Sequence, residues 1–130
     1  MNKSFAAAII IEDDPWMREV LEVAVRRCGL KAVGVASGED AIYAIDDTAP
    51  KIILADVLLL HTTIFTLLNE LQSHQDLAQL PVILCSGISE RLPDDVCRRY
   101  GIVEVLDKAT MTPNGIMAAI KRHLHAEVIA

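Results

Sequence analysis

Short apolar segments alternate with amphipathic ones along the whole chain. Five apolar runs, several rich in Ile and Val, mostly lack the polar–apolar alternation of a half-exposed sheet; they are residues 5–11, 31–36, 51–56, 81–86 and 102–106. Such runs are typical of strands covered on both faces, as in a parallel sheet packed between helices. Between the runs, apolar residues recur at steps of three or four, the period of one helix face. The pattern predicts five strands alternating with five helices.

The first predicted helix has clear boundary signals. Asp14 suits the N-cap, Pro15 suits the first helical position, and Gly29 marks the end. Pro93 is expected in the first turn of the fourth helix, where a proline is tolerated. The predicted starts of the other helices are Ser37, Thr62 or Thr63, Ser89, and about Thr112, with the last helix running to about His125.

This alternation predicts a doubly wound α/β fold. Right-handed crossovers place helices on both faces of a five-stranded parallel sheet, giving a (βα)5 sandwich of three layers. No repeat, low-complexity segment or linker interrupts the 130 residues, so we predict a single domain with its core at about residues 6–125. In such sheets, ligands bind outside the carboxyl ends of the strands, near the point where the strand order reverses.

Composition and charge narrow the possible functions. The chain is 52% apolar and 23% charged, which excludes a disordered tail, a collagen-like repeat and a disulfide scaffold. The net charge of −6 argues against non-specific attraction to nucleic acid or anionic lipid. The apolar run near the N-terminus is too short for a secretory signal or membrane span, so we expect a soluble, cytoplasmic protein. Cys28, Cys85 and Cys97 form no C-x-x-C pair and are expected to be small apolar residues in a reducing compartment.

Polar side chains with a shared chemistry stand where the predicted strands end. Glu12 and Asp13 follow the first strand, Asp56 ends the third, Ser86 ends the fourth, and Lys108 follows the fifth. Carboxylates gathered at one sheet edge repel one another, which raises their pKa values unless a cation or a lysine neutralises them. Hard oxygen ligands suit a divalent ion such as Mg²⁺. Carboxylate, metal, lysine and hydroxyl together are what phosphoryl transfer to an aspartate requires.

Four motifs resemble those of receiver domains of bacterial two-component response regulators. They are Ile9-Ile10-Ile11-Glu12-Asp13-Asp14-Pro15 followed by Arg18, Leu54-Ala55-Asp56-Val57, Pro81-Val82-Ile83-Leu84-Cys85-Ser86-Gly87, and Leu106-Asp107-Lys108. The separations also fit the family, with 43 residues from Asp13 to Asp56, 30 from Asp56 to Ser86, and 22 from Ser86 to Lys108. Each motif is weak alone, but four in this order are specific, and the match covers about residues 6–125.

The resemblance implies a role for each matched residue. Asp56 is expected to accept a phosphoryl group from a phosphohistidine on a sensor histidine kinase or a phosphotransfer protein. Ser86 and Lys108 are expected to bind the phosphoryl oxygens.

The resemblance also implies a Mg²⁺ site. Asp13 and Asp56 would bind the ion directly, Glu12 mainly through water, and the backbone carbonyl of Leu58 would complete the site.

The first hypothesis is a working phosphoacceptor receiver that stands alone as a single-domain regulator. No DNA-binding or enzymatic domain is expected after residue 125, so the signal would pass to a downstream effector protein, with homodimerisation possible. Beyond self-phosphorylation and self-dephosphorylation no enzymatic activity is expected.

Several positions depart from the family pattern. Ala109 follows the lysine where the family has a proline, and Val105 replaces an aromatic switch residue. The loop after the phosphoacceptor, Leu59-Leu60-His61-Thr62-Thr63, is apolar and lacks glycine. These departures keep a second hypothesis open, a degenerate receiver that binds partners without phosphorylation.

A third hypothesis comes from another class, a flavin carrier or a small-molecule α/β enzyme. A flavodoxin-like site needs a Ser-, Thr- or Gly-rich loop after the first strand, and Glu12-Asp13-Asp14-Pro15 would repel a phosphate there. A dehalogenase-type phosphatase needs two aspartates separated by one residue, which this segment lacks.

Overall fold

The computed structural model describes residues 6–59, 62–87 and 92–124. The strands are β1 (Ala7–Ile11), β2 (Lys31–Val35), β3 (Ile52–Asp56), β4 (Leu58–Leu59), β5 (Thr62–Thr63), β6 (Val82–Ser86) and β7 (Ile102–Asp107). The helices are α1 (Pro15–Arg27), α2 (Gly38–Thr48), α3 (Ile64–Gln72), α4 (Asp94–Tyr100) and α5 (Pro113–His123). All five predicted strands and all five predicted helices are therefore present, and β4 and β5 add a short antiparallel hairpin after β3.

The main sheet has the order β2-β1-β3-β6-β7, and every neighbouring pair is parallel. This confirms the doubly wound α/β fold. The chain leaves β1 toward β2 on one side and returns to β3 on the other, so the strand order reverses between β1 and β3. A crevice forms at the carboxyl ends of the strands at such a reversal.

The core lies on both faces of the sheet. Ile10 and Leu54 belong to the buried cluster that α1 and α5 cover, whereas Ile9 and Ile53 belong to the cluster that α2, α3 and α4 cover. Because both faces of β1, β3 and β6 are covered, these strands are apolar except at their carboxyl ends, where β3 ends in Asp56 and β6 in Ser86. The edge strand β7 differs, since its exposed and partly buried residues alternate and Val105 is exposed.

The predicted signals for the first two helices are confirmed. The Asp14 carboxylate accepts a hydrogen bond from the amide of Trp16 at 3.1 Å, and Pro15 is the first residue of α1. Gly29, just beyond the helix, has a positive φ of 81°, a conformation that glycine adopts without steric cost. The Ser37 hydroxyl likewise caps α2 by accepting a hydrogen bond from the amide of Asp40 at 3.2 Å.

The other predicted helix boundaries need adjustment. The third helix begins after Thr63, one of the two residues predicted. The fourth begins at Asp94, so the prediction that Pro93 lies inside its first turn was wrong. The residue before a proline is disfavoured in the α region, which prevents the helix from extending back through Leu92; the predicted start, Ser89, lies outside the described residues. The last helix ends at His123.

A cluster of charged side chains joins β7 to the end of α5. The carboxylate of Glu104 accepts hydrogen bonds from Nη2 of Arg122 at 2.5 Å and Nε at 3.2 Å, and lies 2.9 Å from Nε2 of His123. The hydrogen bonds from Arg122 lower the pKa of Glu104, and His123 adds to the effect while partial burial opposes it. Because this pKa is lowered by folding, the cluster stabilises the fold above about pH 5 and stops doing so as the pH falls through the lowered value.

We therefore expect Glu104→Gln to lower the melting temperature at pH 7 by roughly one to three degrees, a small effect because surface pairs contribute little. Thermal unfolding of both proteins from pH 7 to pH 3 should show the difference vanishing at the acid end. Glu19→Gln, at an exposed carboxylate of α1, serves as the control. A difference that stayed constant across this range would contradict the assignment.

None of the helices in the described ranges is long and apolar enough to cross a membrane.

Candidate functional site

The acidic residues at the ends of β1 and β3 meet at the crevice. Ile11, the last residue of β1, pairs with Ala55, which directly precedes Asp56. One ligand atom each from Glu12, Asp13 and Asp56 lie within 4.8 Å of one another. The side chains differ in exposure, since Glu12 is fully buried, whereas Asp13 and Asp56 are partly accessible. Three carboxylates at this spacing, two of them reachable from solvent, are a donor set that fits Mg²⁺, which prefers oxygen ligands and keeps several waters.

Lys108 supplies the positive charge that offsets two of these carboxylates. Its Nζ donates hydrogen bonds to Oε1 of Glu12 at 2.5 Å and to Oδ2 of Asp56 at 3.0 Å. Burial alone would lower the pKa of Lys108, but the bonds to the two carboxylates outweigh it and raise that pKa. Burial raises the pKa of Glu12, against the lowering effect of Lys108. The ammonium of Lys108 therefore stays charged between the two carboxylates, and the cost of burying charge is reflected in the raised pKa of Glu12.

The loop after β7 holds Lys108 in place although no proline follows it. The amide of Lys108 donates to the carbonyl of Ser86 at 2.9 Å, which ties the loop to the end of β6. The carboxylate of Asp107 accepts from the amide of Ala109 at 2.8 Å, and its carbonyl accepts from the amide of Met111, also at 2.8 Å. An aspartate that bonds the amide two residues on closes a turn by itself. Asp107 therefore closes the turn after Lys108 without a proline.

Asp56 and Ser86 lie at the ends of neighbouring strands. Asp56 of β3 pairs with Cys85 of β6, and Ser86 is the next residue of β6. Ser86 itself pairs with Asp107 on the other side of β6. Ser86 is 5% exposed. The amide of Leu58 donates to Oδ1 of Asp56 at 3.4 Å, which places the Leu58 backbone beside the carboxylate. The role predicted for the Leu58 carbonyl stays a prediction.

Arg18 positions the acidic turn, a contribution that the sequence analysis missed. Its Nη1 donates to the backbone carbonyl of Glu12 at 2.8 Å, while its amide donates to the carbonyl of Asp14 in the first turn of α1. The amide of Glu12 donates to the carbonyl of Val35, which anchors the same turn to β2. The sequence shows that Arg18 lies one helical turn after the cap residue Asp14. That spacing places Arg18 near the acidic turn, but it does not predict a hydrogen bond to the Glu12 carbonyl.

A family model for the response regulator receiver domain matches residues 8–121. The chain belongs to this family. Transcriptional regulatory protein GltR of Pseudomonas aeruginosa is 27% identical over 121 residues, covering 93% of this chain and 50% of that protein. Transcriptional regulatory protein AfsQ1 of Streptomyces coelicolor is 33% identical over 105 residues, covering 81% of this chain and 44% of that protein. The receiver thus spans about half the length of these curated relatives.

Solved structures share the fold of this receiver. Chemotaxis protein CheY4 of Vibrio cholerae superposes with a TM-score of 0.80 at 17% identity, covering 93% of this chain and 100% of that one. A response regulator from Chloroflexus aurantiacus superposes with a TM-score of 0.77 at 24% identity, covering 92% and 97%. Both confirm the (βα)5 sandwich predicted from the strand and helix pattern, an architecture that is also called flavodoxin-like.

Two apolar side chains near the site are exposed. Val105 is 44% exposed on β7, and Leu58 is 53% exposed in the hairpin after Asp56. Leu58 pairs with Thr63, so this short hairpin brings the chain from β3 into α3. His61, in the predicted apolar loop, lies outside the described residues.

Cys85 sits beside the site but takes no charged form there. It is fully buried, and burial raises the pKa of its thiol to about 12, with Lys108 acting weakly in the opposite direction. At neutral pH the thiol is therefore protonated, and Cys85 packs as an apolar residue. Cys28 is also a buried free thiol, and Cys97 is a partly buried one.

Proposed function

We propose that this receiver accepts a phosphoryl group on Asp56 from a phosphohistidine of a sensor histidine kinase or phosphotransfer protein. The observation that carries the proposal is the ammonium of Lys108 held between Asp56 and the buried Glu12, at 3.0 and 2.5 Å. A surface lysine gains little from one exposed acid. Lys108 lies between two carboxylates at the sheet edge, and a third carboxylate, that of Asp13, belongs to the same cluster. A lysine in this position is suited to neutralising the charge of a phosphoryl group.

The proposed reaction is a displacement at phosphorus. A carboxylate oxygen of Asp56 forms a bond to phosphorus, the bond from phosphorus to the donor imidazole breaks, and the imidazole keeps the electron pair and takes a proton from solvent. Oδ2 of Asp56 faces Lys108 and Oδ1 faces the amide of Leu58, so both oxygens have a hydrogen-bond donor. Lys108 offsets charge on the phosphoryl oxygens, and the Ser86 hydroxyl is proposed to donate to one of them.

Asp13 and Asp56 would hold Mg²⁺ directly and Glu12 mainly through water, with the Leu58 carbonyl as a further proposed ligand. When bound, this ion supplies positive charge for the phosphoryl oxygens. The residues fit the ion because they offer only oxygen atoms and because Asp13 and Asp56 remain accessible.

The proposed output is contact with a downstream effector protein. The relatives are transcriptional regulatory proteins by name, and the match covers about half of each, so a role in transcription is named for those proteins and not for this chain. A stand-alone regulator, a single domain over residues 1–130, a homodimer and a cytoplasmic location stay predictions.

The test is phosphorylation by a small donor. We expect acetyl phosphate with Mg²⁺ to add one phosphoryl group to the protein, measured by intact mass, and peptide mapping to place it on Asp56. A chelator should suppress the reaction, because three neighbouring carboxylates otherwise repel the incoming donor. No mass gain with Mg²⁺ present would overturn the proposal and favour the degenerate receiver, a protein-binding module that works without phosphorylation.

A further inference from the structure

Two adjoining cavities form a groove between α2 and α3, on the layer opposite α1 and α5. One has a volume of about 620 Å³ and the other about 390 Å³, and Ile42 and Glu70 line both. The first reaches from Asp13 past the start of α2, and the second extends to Ala49 at the end of that helix. We call these two adjoining cavities together the α2–α3 groove. It runs the length of the 11-residue helix α2, roughly 16 Å.

The groove has an apolar floor and an acidic rim. Its apolar lining consists mainly of Ile42, Ile45, Leu67, Leu71 and Leu77. Its carboxylates are Asp13, Glu39, Asp46, Glu70 and Asp76, and the lining residues within the described part of the chain include no lysine or arginine. Four of these acids, all but Asp13, are solvent-exposed. The groove is therefore complementary to an elongated ligand that is apolar on one side and positively charged along its edges.

An exposed aromatic side chain flanks this groove. Tyr43 is 76% exposed on α2 and lies one helical turn from both Glu39 and Asp46, whose side chains line the groove. Tyrosine is enriched among the residues that dominate binding energy at interfaces. Tyr43 is not part of the cavity lining, but its exposed ring on α2 would extend the surface that a partner helix covers.

We propose that the α2–α3 groove binds a basic amphipathic helix of a partner protein. A helix of about three turns matches the length of the groove, and its apolar face would lie on Ile42 and Leu67 with lysine or arginine side chains at the carboxylates. Among the described lining residues only Asp13 also belongs to the proposed phosphoryl site; the apolar floor comes from α2, α3 and the segment after α3, and not from Lys108 or Asp56.

The test is binding of a synthetic peptide without metal or phosphoryl donor, so that its failure is distinct from failure of phosphorylation. The probe is a labelled 14-residue helix (about four turns) with leucine at positions i, i+3, i+4 and i+7 and lysine elsewhere. The control peptide has glutamate in place of lysine. We expect saturable binding of the lysine peptide by fluorescence anisotropy, at least about tenfold tighter than that of the glutamate peptide, and weaker at high salt.

Variants locate the binding site. The double variant Asp46→Lys and Glu70→Lys should weaken binding about tenfold or more, and Tyr43→Ala should weaken it severalfold. The control is Glu19→Lys, which makes the same charge change at one exposed site on α1, away from the groove. It should leave binding nearly unchanged. Circular dichroism checks that each variant is folded. Equal binding of both peptides, or equal weakening by Glu19→Lys, would overturn the proposal, since either result indicates attraction without use of the groove.

Discussion

Replacing Asp56 by asparagine should abolish formation of an acyl phosphate while leaving the protein folded. Asparagine has the same shape and can still accept a hydrogen bond from Lys108, but its amide oxygen is a far poorer nucleophile than a carboxylate. With acetyl phosphate and Mg²⁺, we expect the native protein to gain a phosphoryl group that hydroxylamine removes, and Asp56→Asn to gain none. The measurement is intact mass before and after hydroxylamine treatment.

The matched control for this experiment is Asp47→Asn, which replaces an exposed aspartate of α2 and changes the net charge by the same amount as Asp56→Asn. It should be modified to the same extent as the native protein. If Asp56→Asn were labelled as fully as the control, another group would be the acceptor and the proposed chemistry would be wrong.

Replacing Lys108 by methionine should lower the free energy of unfolding by about 3 kcal/mol at neutral pH in the presence of a chelator. The reason is that Glu12 is 1% exposed and loses the ammonium that lies 2.5 Å from its carboxylate. Removing one partner of a buried pair leaves an uncompensated charge, which costs more than the pair contributed. Urea denaturation of both proteins measures the loss.

A second substitution separates loss of charge from loss of packing. Glu12→Gln keeps the size of the side chain but removes the buried charge, so adding it to Lys108→Met should restore most of the lost stability. Lys51→Met, at an exposed lysine, should change stability by less than about 0.5 kcal/mol. Failure of the double variant to recover would show that Lys108 stabilises the fold by some means other than compensating Glu12.

The main elements of this receiver follow from local information in the chain. Apolar runs without alternation specify strands buried on both faces, and Asp14 and Ser37 cap helices through bonds to amides two and three residues away. Because these interactions involve only near neighbours, the sequence is enough to locate them. The fourth helix shows the limit, since the effect of Pro93 on Leu92 was underestimated and the helix begins after the proline.

The sequence also determined which residues occupy the carboxyl ends of the strands, because parallel strands place those ends at one edge. Only the tertiary structure decided how they share charge: that Glu12 is the buried acid, that Lys108 bonds to it as well as to Asp56, and that Asp107 and Arg18 hold the surrounding turns. Glu12 and Lys108 are 96 residues apart in the chain. The distance between them depends on how β1 and β7 are placed in the sheet and on the path of the loop after β7, which no local pattern records. The α2–α3 groove depends in the same way on the packing of two helices, so its acidic rim became visible only when they were brought together.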